Sequence, residues 1–249
     1  LTGRILTDKA GRAALDPYAK ACHLREVGYR YLIAELESYL DPDEWDTFPR
    51  HYQHYGASLA VTVEMYALAG GLPPVRAPED VAFYQALVRV NARFRHSPLV
   101  RVVTSARQSG RTDIGLANQL NEWAKMGQQQ QSFLVESALA IETRFTARRQ
   151  LRVMWWSILN GSMPTHTDLA ALSDTLGVPT KWLAQELAQP HTFGQLFEKV
   201  KKCASEEQIW AQRWENVDIK QAIADLRSSV RRHRLPQTTH STHSEIAWL

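Results

Sequence analysis

Three residue patterns in this chain are of types and spacings that do chemistry: paired histidines, laddered arginines and adjacent tryptophans. His51-x-x-His54, flanked by Tyr52 and Tyr55, would put two imidazoles on one helical face, where they could share a metal. A catalytic metal needs a third ligand of defined orientation, and nothing in the sequence nominates one. His240-x-x-His243 repeats the spacing in a polar terminal stretch. Cys22 and His23 are neighbours on a predicted helix, so their side chains diverge. The chain has no Gly-x-Ser-x-Gly elbow, phosphate loop or dinucleotide fingerprint. The expectation is a protein with no catalytic residue, no metal, no cofactor and no small-molecule substrate. An active site dispersed over many helices would leave no such signature.

The arginines and tryptophans point to contacts instead. Arg144, Arg148 and Arg152 stand at i, i+4 and i+8 and lead into Trp155 and Trp156. Adjacent helical positions diverge by about 100°, so one buried face hardly takes both indoles. At least one must meet another element, a partner or solvent. Guanidinium-on-indole stacking is within reach of Arg152, and Trp and Arg are favoured interface anchors. Arg227, Arg231 and Arg234 form another ladder, with Arg232 beside it, and Val81 to Thr112 holds six arginines but no Asp or Glu. Like charges one turn apart cost about 0.2–0.5 kcal/mol per pair, so compensating acids, phosphates or a partner are expected. Acids gather at Asp41-Pro42-Asp43-Glu44-Trp45-Asp46, Glu79-Asp80 and Glu206-Glu207, which makes internal pairing feasible. The expected partner-binding set is Arg144, Arg148, Arg152, Trp155 and Trp156.

Composition bounds these readings. The 249 residues carry 44% hydrophobic and 22% charged side chains and a formal net charge of +3, which neither demands nor excludes nucleic acid. Two isolated cysteines, Cys22 and Cys203, suit a reducing cytoplasm better than a disulfide framework. No apolar run approaches the roughly 20 residues of a membrane span, and the first residues lack a signal-peptide layout. The expected location is cytoplasmic, with no membrane contact.

The elements that must hold these residues read as helices. Asp16-Pro17 is a helix start, with apolar positions at helical spacing to Leu40. Asp41 to Glu44 reads as a second start, and further helices are expected over about 50–69, 79–95 and from Pro98 to near Gly110. From Asp113 to Leu159 little breaks a helix except Gly115 and Gly127, and its apolar register slips by one between Phe145 and Leu151. Two short helices, about 167–176 and 179–188, meet at Gly177-Val178. Another begins near Thr192, and a long one covers about 205–233. The expected fold is all-α, eight to ten helices in one bundle or two lobes. The lobes would be 1–110 and 111–234, followed by a flexible polar tail at 235–249.

Residues 167–187 also have a helix-turn-helix pattern that would offer Thr180, Lys181 and Gln185 to a major groove. Glu186 would face similar ground. A DNA-binding regulator is therefore the alternative function.

Leu151-Arg152-Val153-Met154-Trp155-Trp156, followed by Asp168-Leu169-Ala170-Ala171-Leu172 and Gly177-Val178-Pro179, resembles the all-helical proteins of bacterial GTPase-associated systems. In that family a Leu-Trp-Trp segment ends a helix, and a Leu-Ala-x-Leu helix precedes a Pro-containing turn. Here Met154 precedes the pair, and Arg148, Arg149 and Arg152 stand where the family usually has carboxylates. The resemblance implies a non-catalytic helical scaffold or adaptor subunit of a bacterial multi-protein antiviral complex, with protein partners and no catalytic residues to transfer.

Overall fold

The computed structural model describes residues 1–76, 78–105 and 115–234. Helix α1 (Lys9–Ala13) is short, and α2 (Pro17–Leu40) forms the spine. Asp16 starts α2: its Oδ1 accepts the Tyr18 and Ala19 N–H groups at 2.9 and 3.0 Å, with Pro17 in the first turn. The two halves of α2 enter different cores. Ala19 and Cys22 pack with Leu120 and Trp123 of α5 (Leu116–Gln128). Tyr29 and Leu36 pack with Ile141 and Phe145 of α6 (Ala138–Leu159) and with Leu226 of the last helix.

The register slip read in α6 has a physical reason. Ala138, Ile141 and Phe145 face the α2 core, whereas Ala147, Leu151 and Trp155 face a second core. That second core is built by α7 (His166–Leu176), α8 (Thr180–Leu187) and α9 (Phe193–Glu206), after α3 (Val63–Leu68) and α4 (Glu79–Arg89) earlier in the chain. α6 is thus handed from one apolar layer to another along its length.

The described residues are mostly helical, with eleven α-helices, but not strictly all-α as expected. Strand β1 (Thr2–Thr7) pairs in parallel with β2 (His96–Thr104), aligning Thr2 with His96 and Thr7 with Thr104. The helix expected from Pro98 is this strand. Pro98 disfavours helical geometry at Ser97, and Val100, Val102 and Val103 favour a pleated chain. A second small pair, β3 (Leu134–Val135) with β4 (Val217–Asp218), splits two helices that read as continuous. Upstream, the stretch from Asp113 divides into α5 and α6. Downstream, the helix expected over 205–233 divides into the end of α9, α10 (Ile209–Arg213) and α11 (Ile219–Arg234).

The segment from Asp41 to Thr62 departs most from expectation. Its only regular element is one 3-10 turn at Gly56–Ser58. Its side chains bind the sheet instead of supporting a helix. The Gln53 amide accepts from Ile5 N–H and donates to Ile5 O, at 2.7 and 3.3 Å. The expected lobe boundary and polar tail fall in 106–114 and 235–249, outside the described residues. On either side of that boundary, α2, α6 and α11 share one core. No helix of the described residues is long and apolar enough to cross a membrane.

Candidate functional site

The α6 arginines face carboxylates of their own chain. Arg144 pairs with Glu136 at 2.9 Å. Arg148 reaches Glu37 at 2.5 Å and also binds Asp41, and Arg152 binds Asp41 as well. Asp41 closes α2 at its C-cap, and its carboxylate is wholly removed from solvent. The chain of charge continues. Glu37 also binds Arg50, Arg50 donates to Asp46 at 2.7 Å, and His96 donates through Nδ1 to Asp46 at 2.6 Å. Asp46 also accepts the His96 backbone N–H at 2.8 Å. The path Arg152–Asp41–Arg148–Glu37–Arg50–Asp46–His96 therefore ties α6 and α2 through the irregular segment to β2.

Electrostatics follows from this alternation. Burial opposes ionisation of Glu37, but Arg148 and Arg50 outweigh it and hold the carboxyl below its ordinary range. Burial opposes the charge on Arg148 too, yet Glu37 and Asp41 hold its proton more tightly than usual. Burial likewise works against Asp46, but its bond to His96 and the nearby Arg50 lower it to about 2. The guanidinium of Arg148 also lies 5.3 Å from the Phe145 ring centre, and that of Arg152 lies 4.8 Å from Phe193.

The paired indoles separate as their 100° divergence requires. Trp155 is 9% exposed, packs in the second core and donates Nε1–H to the His191 carbonyl at 3.2 Å. Trp156 is 54% exposed and meets Trp155 edge-on, with ring centres 5.1 Å apart. Val153 and Leu159, three residues to either side of it on the helix, are exposed, and so are Arg149 and Met163. Of the five expected contact residues, the three arginines are engaged with acids of this chain, Trp155 is internal, and Trp156 stands on the surface. The counter-ions Glu37, Asp41, Asp46 and His96 were not among the expected site residues. For Asp41 and Asp46 the sequence signal is the acid cluster at 41–46, which reads both as a helix start and as a source of internal pairing; Glu37 and His96 carry no such signal.

The histidine pair is not helical. His51 is buried, with Nδ1 accepting the Gln53 N–H at 3.0 Å and Nε2 lying 3.2 Å from Thr2 O. His54 stacks on Tyr84 at 3.8 Å, and Tyr84 in turn packs against Phe94. Burial, reinforced by the nearby His96, lowers both His51 and His54 to about 4. Among the described residues, no group of three or more His, Cys, Asp or Glu side chains is arranged to hold a metal ion. These rings pack the joint between the irregular segment and β2.

The helical hairpin forms as its residues suggest. Thr165 caps α7 by accepting the Asp168 N–H, Gly177 takes the left-handed conformation at φ 70°, and α8 follows Pro179. Lys181 and Gln185 are exposed and Thr180 is partly buried. Glu186 is bound by Lys199 at 2.8 Å and by His191 at 3.0 Å. Residues 166–187 carry Asp168, Asp174 and Glu186 against one lysine, a poor electrostatic match to phosphates.

The geometry defines a largely helical protein with an internal charge network behind an exposed indole. No family model, no curated protein and no solved structure matches the chain.

Proposed function

We propose that this chain is a non-catalytic helical adaptor or scaffold subunit that binds another protein through the outer face of α6. The observation that carries the reading is Trp156, half exposed between Val153 and Leu159 on a helix whose other faces are buried or ion-paired, with the exposed Met163 just past the helix end. A clustered apolar surface with a tryptophan at its centre has the composition of an interface anchor. The internal network ties α6 to α2, which limits the conformational freedom left to lose on docking. The sequence resemblance extends the proposal to a bacterial multi-protein antiviral complex of the GTPase-associated kind.

The test is co-purification from the native host, comparing the natural protein with Trp156→Asp and Met163→Asp. The expected result is a defined complex by size exclusion and mass spectrometry that both substitutions dissolve while circular dichroism stays unchanged. A natural protein that is strictly monomeric, or variants that keep the same partner, would overturn the proposal. The second reading is a DNA-binding regulator. It draws on the exposed Lys181 and Gln185 of α8 and predicts a duplex mobility shift at low salt that fades steeply as salt rises. The acid excess of the hairpin weighs against it.

A further inference from the structure

A groove of about 420 Å³ runs between α2 and α11. Leu24, Arg25, Gly28 and Tyr31 line it from α2, and Ile223 and Arg227 line it from α11. None of these residues belongs to the Trp156 face. At Gly28 a Cβ would meet nothing within 4 Å, so a visiting side chain can approach the α2 backbone there. Leu24 is 58% exposed at the edge.

The groove's charge is one-sided. Arg25 and Arg227 line it from opposite walls, Arg25 also reaching the Cys22 side chain, and no carboxylate lines it. Among the described residues neither arginine is in an ion pair, nor is Arg231 one turn beyond Arg227, whereas Arg232 and Arg234 of the same ladder pair with Glu142 and Glu35. Arg4 adds a further cation, 5.5 Å from the centre of the Tyr31 ring. Elsewhere the chain matches laddered arginines with its own acids, as at Arg144, Arg148 and Arg152. Here the cations frame an apolar trough and lack that match.

We infer that this groove docks a short amphipathic acidic segment of a partner protein. One large apolar side chain enters over Gly28 between Leu24 and Ile223, and flanking carboxylates meet Arg25 and Arg227. Such a segment joins a helix-in-groove contact to complementary charge. An apolar trough with a few flanking cations suits a peptide better than a phosphate backbone, which is tracked by many cations along its length.

The experiment is fluorescence anisotropy on the full chain. The probe is a labelled amphipathic peptide with leucines on one helical face and glutamates on the other. Its control replaces every glutamate by lysine, and a short DNA duplex serves as competitor. The acidic peptide is expected to bind and the lysine peptide not to. Gly28→Leu should fill the groove and weaken binding by about tenfold or more. Arg25→Glu with Arg227→Glu should abolish it, while Trp156→Asp leaves it intact. Gly28→Leu replaces an unfavourable helix residue at an open position, so it should keep the protein folded, as thermal melting will show. Failure of the acidic peptide to bind, equal binding of both peptides, or an unaffected Gly28→Leu variant would overturn the inference. So would displacement of the peptide by duplex at physiological salt. The α6 proposal is scored separately, by the co-purification experiment, and its failure leaves the peptide result untouched.

Discussion

Trp155 and Trp156 are neighbours with opposite duties. Trp155 fills the second core and satisfies its indole N–H on His191, so Trp155→Ala should cost about 3–5 kcal/mol in urea unfolding. Trp156→Ala removes surface contacts and should cost under about 1 kcal/mol in the same measurement. Equal costs would show that the two indoles are not divided in this way. Asp41 is the other decisive residue. Its carboxylate binds both Arg148 and Arg152 out of contact with water, so Asp41→Ala strips Arg152 of its acid and leaves Arg148 with Glu37 alone. The expected loss is about 2–3 kcal/mol, below that of a wholly uncompensated buried charge, with the transition staying cooperative. For the same reason, reversing the charge of Arg148 and Arg152 sets acids against Glu37 and Asp41. Such variants report on folding rather than on partner binding.

At the scale of elements, the contact between α4 and α9 is closest at Gly194. The Gly194 N–H donates to Asn91 Oδ1 at 2.9 Å, Thr192 donates to the Arg89 carbonyl at 2.5 Å, and Arg89 grips Glu198 with two bonds of 2.7 and 2.6 Å. A Cβ at Gly194 would run into the Val88 carbonyl. Gly194→Ala should therefore destabilise by about 1–3 kcal/mol. Gly28→Ala, at an open helical site, should stabilise by up to about 1 kcal/mol. Thermal melting of the pair checks both signs. These elements also mark the limit of pattern reading. α2, α7, α8 and the start of α9 were legible in the sequence, α2 from Asp16-Pro17 and the hairpin from Gly177 and Pro179, whereas the Thr165 cap and the Thr192–Gln195 capping box emerge from the structure. β1 and β2 were not, because a two-stranded parallel pair joins segments some ninety residues apart and neither strand shows sustained alternation.

At the scale of the molecule, the joint between the irregular segment and β2 couples stability to acid. His51 and His54 titrate near 4 when folded, against about 6.5 in an unfolded chain. Their folded values are depressed, so the unfolded chain takes up protons first. The stability they allow is intact above about pH 6.5 and falls as pH drops toward 4, by about 1.4 kcal/mol per unit for each ring. Asp46, held at about 2, keeps its charge across that window and loses its contribution only as pH falls from the ordinary carboxylate range toward 2. Denaturant unfolding at pH 7.5, 6 and 5 should show this decline, and His54→Phe, which preserves a ring on Tyr84, should make it shallower. An unchanged slope would remove His54 from the cause.

Local sequence carries the helical character of the chain, the Asp16 cap, the Gly177 turn, the divergence of the paired indoles and the need for opposed charge near the arginine ladders. All of these depend on residues within one or two helical turns. Tertiary structure alone decided which indole is exposed and that Arg148 and Arg152 meet Glu37 and Asp41, more than a hundred residues away. It also decided that Arg25 and Arg227 share a groove without acids. Local spacing sets the direction in which a side chain leaves its helix. What it finds there depends on the packing of distant helices, in which α6 passes from one core to the next.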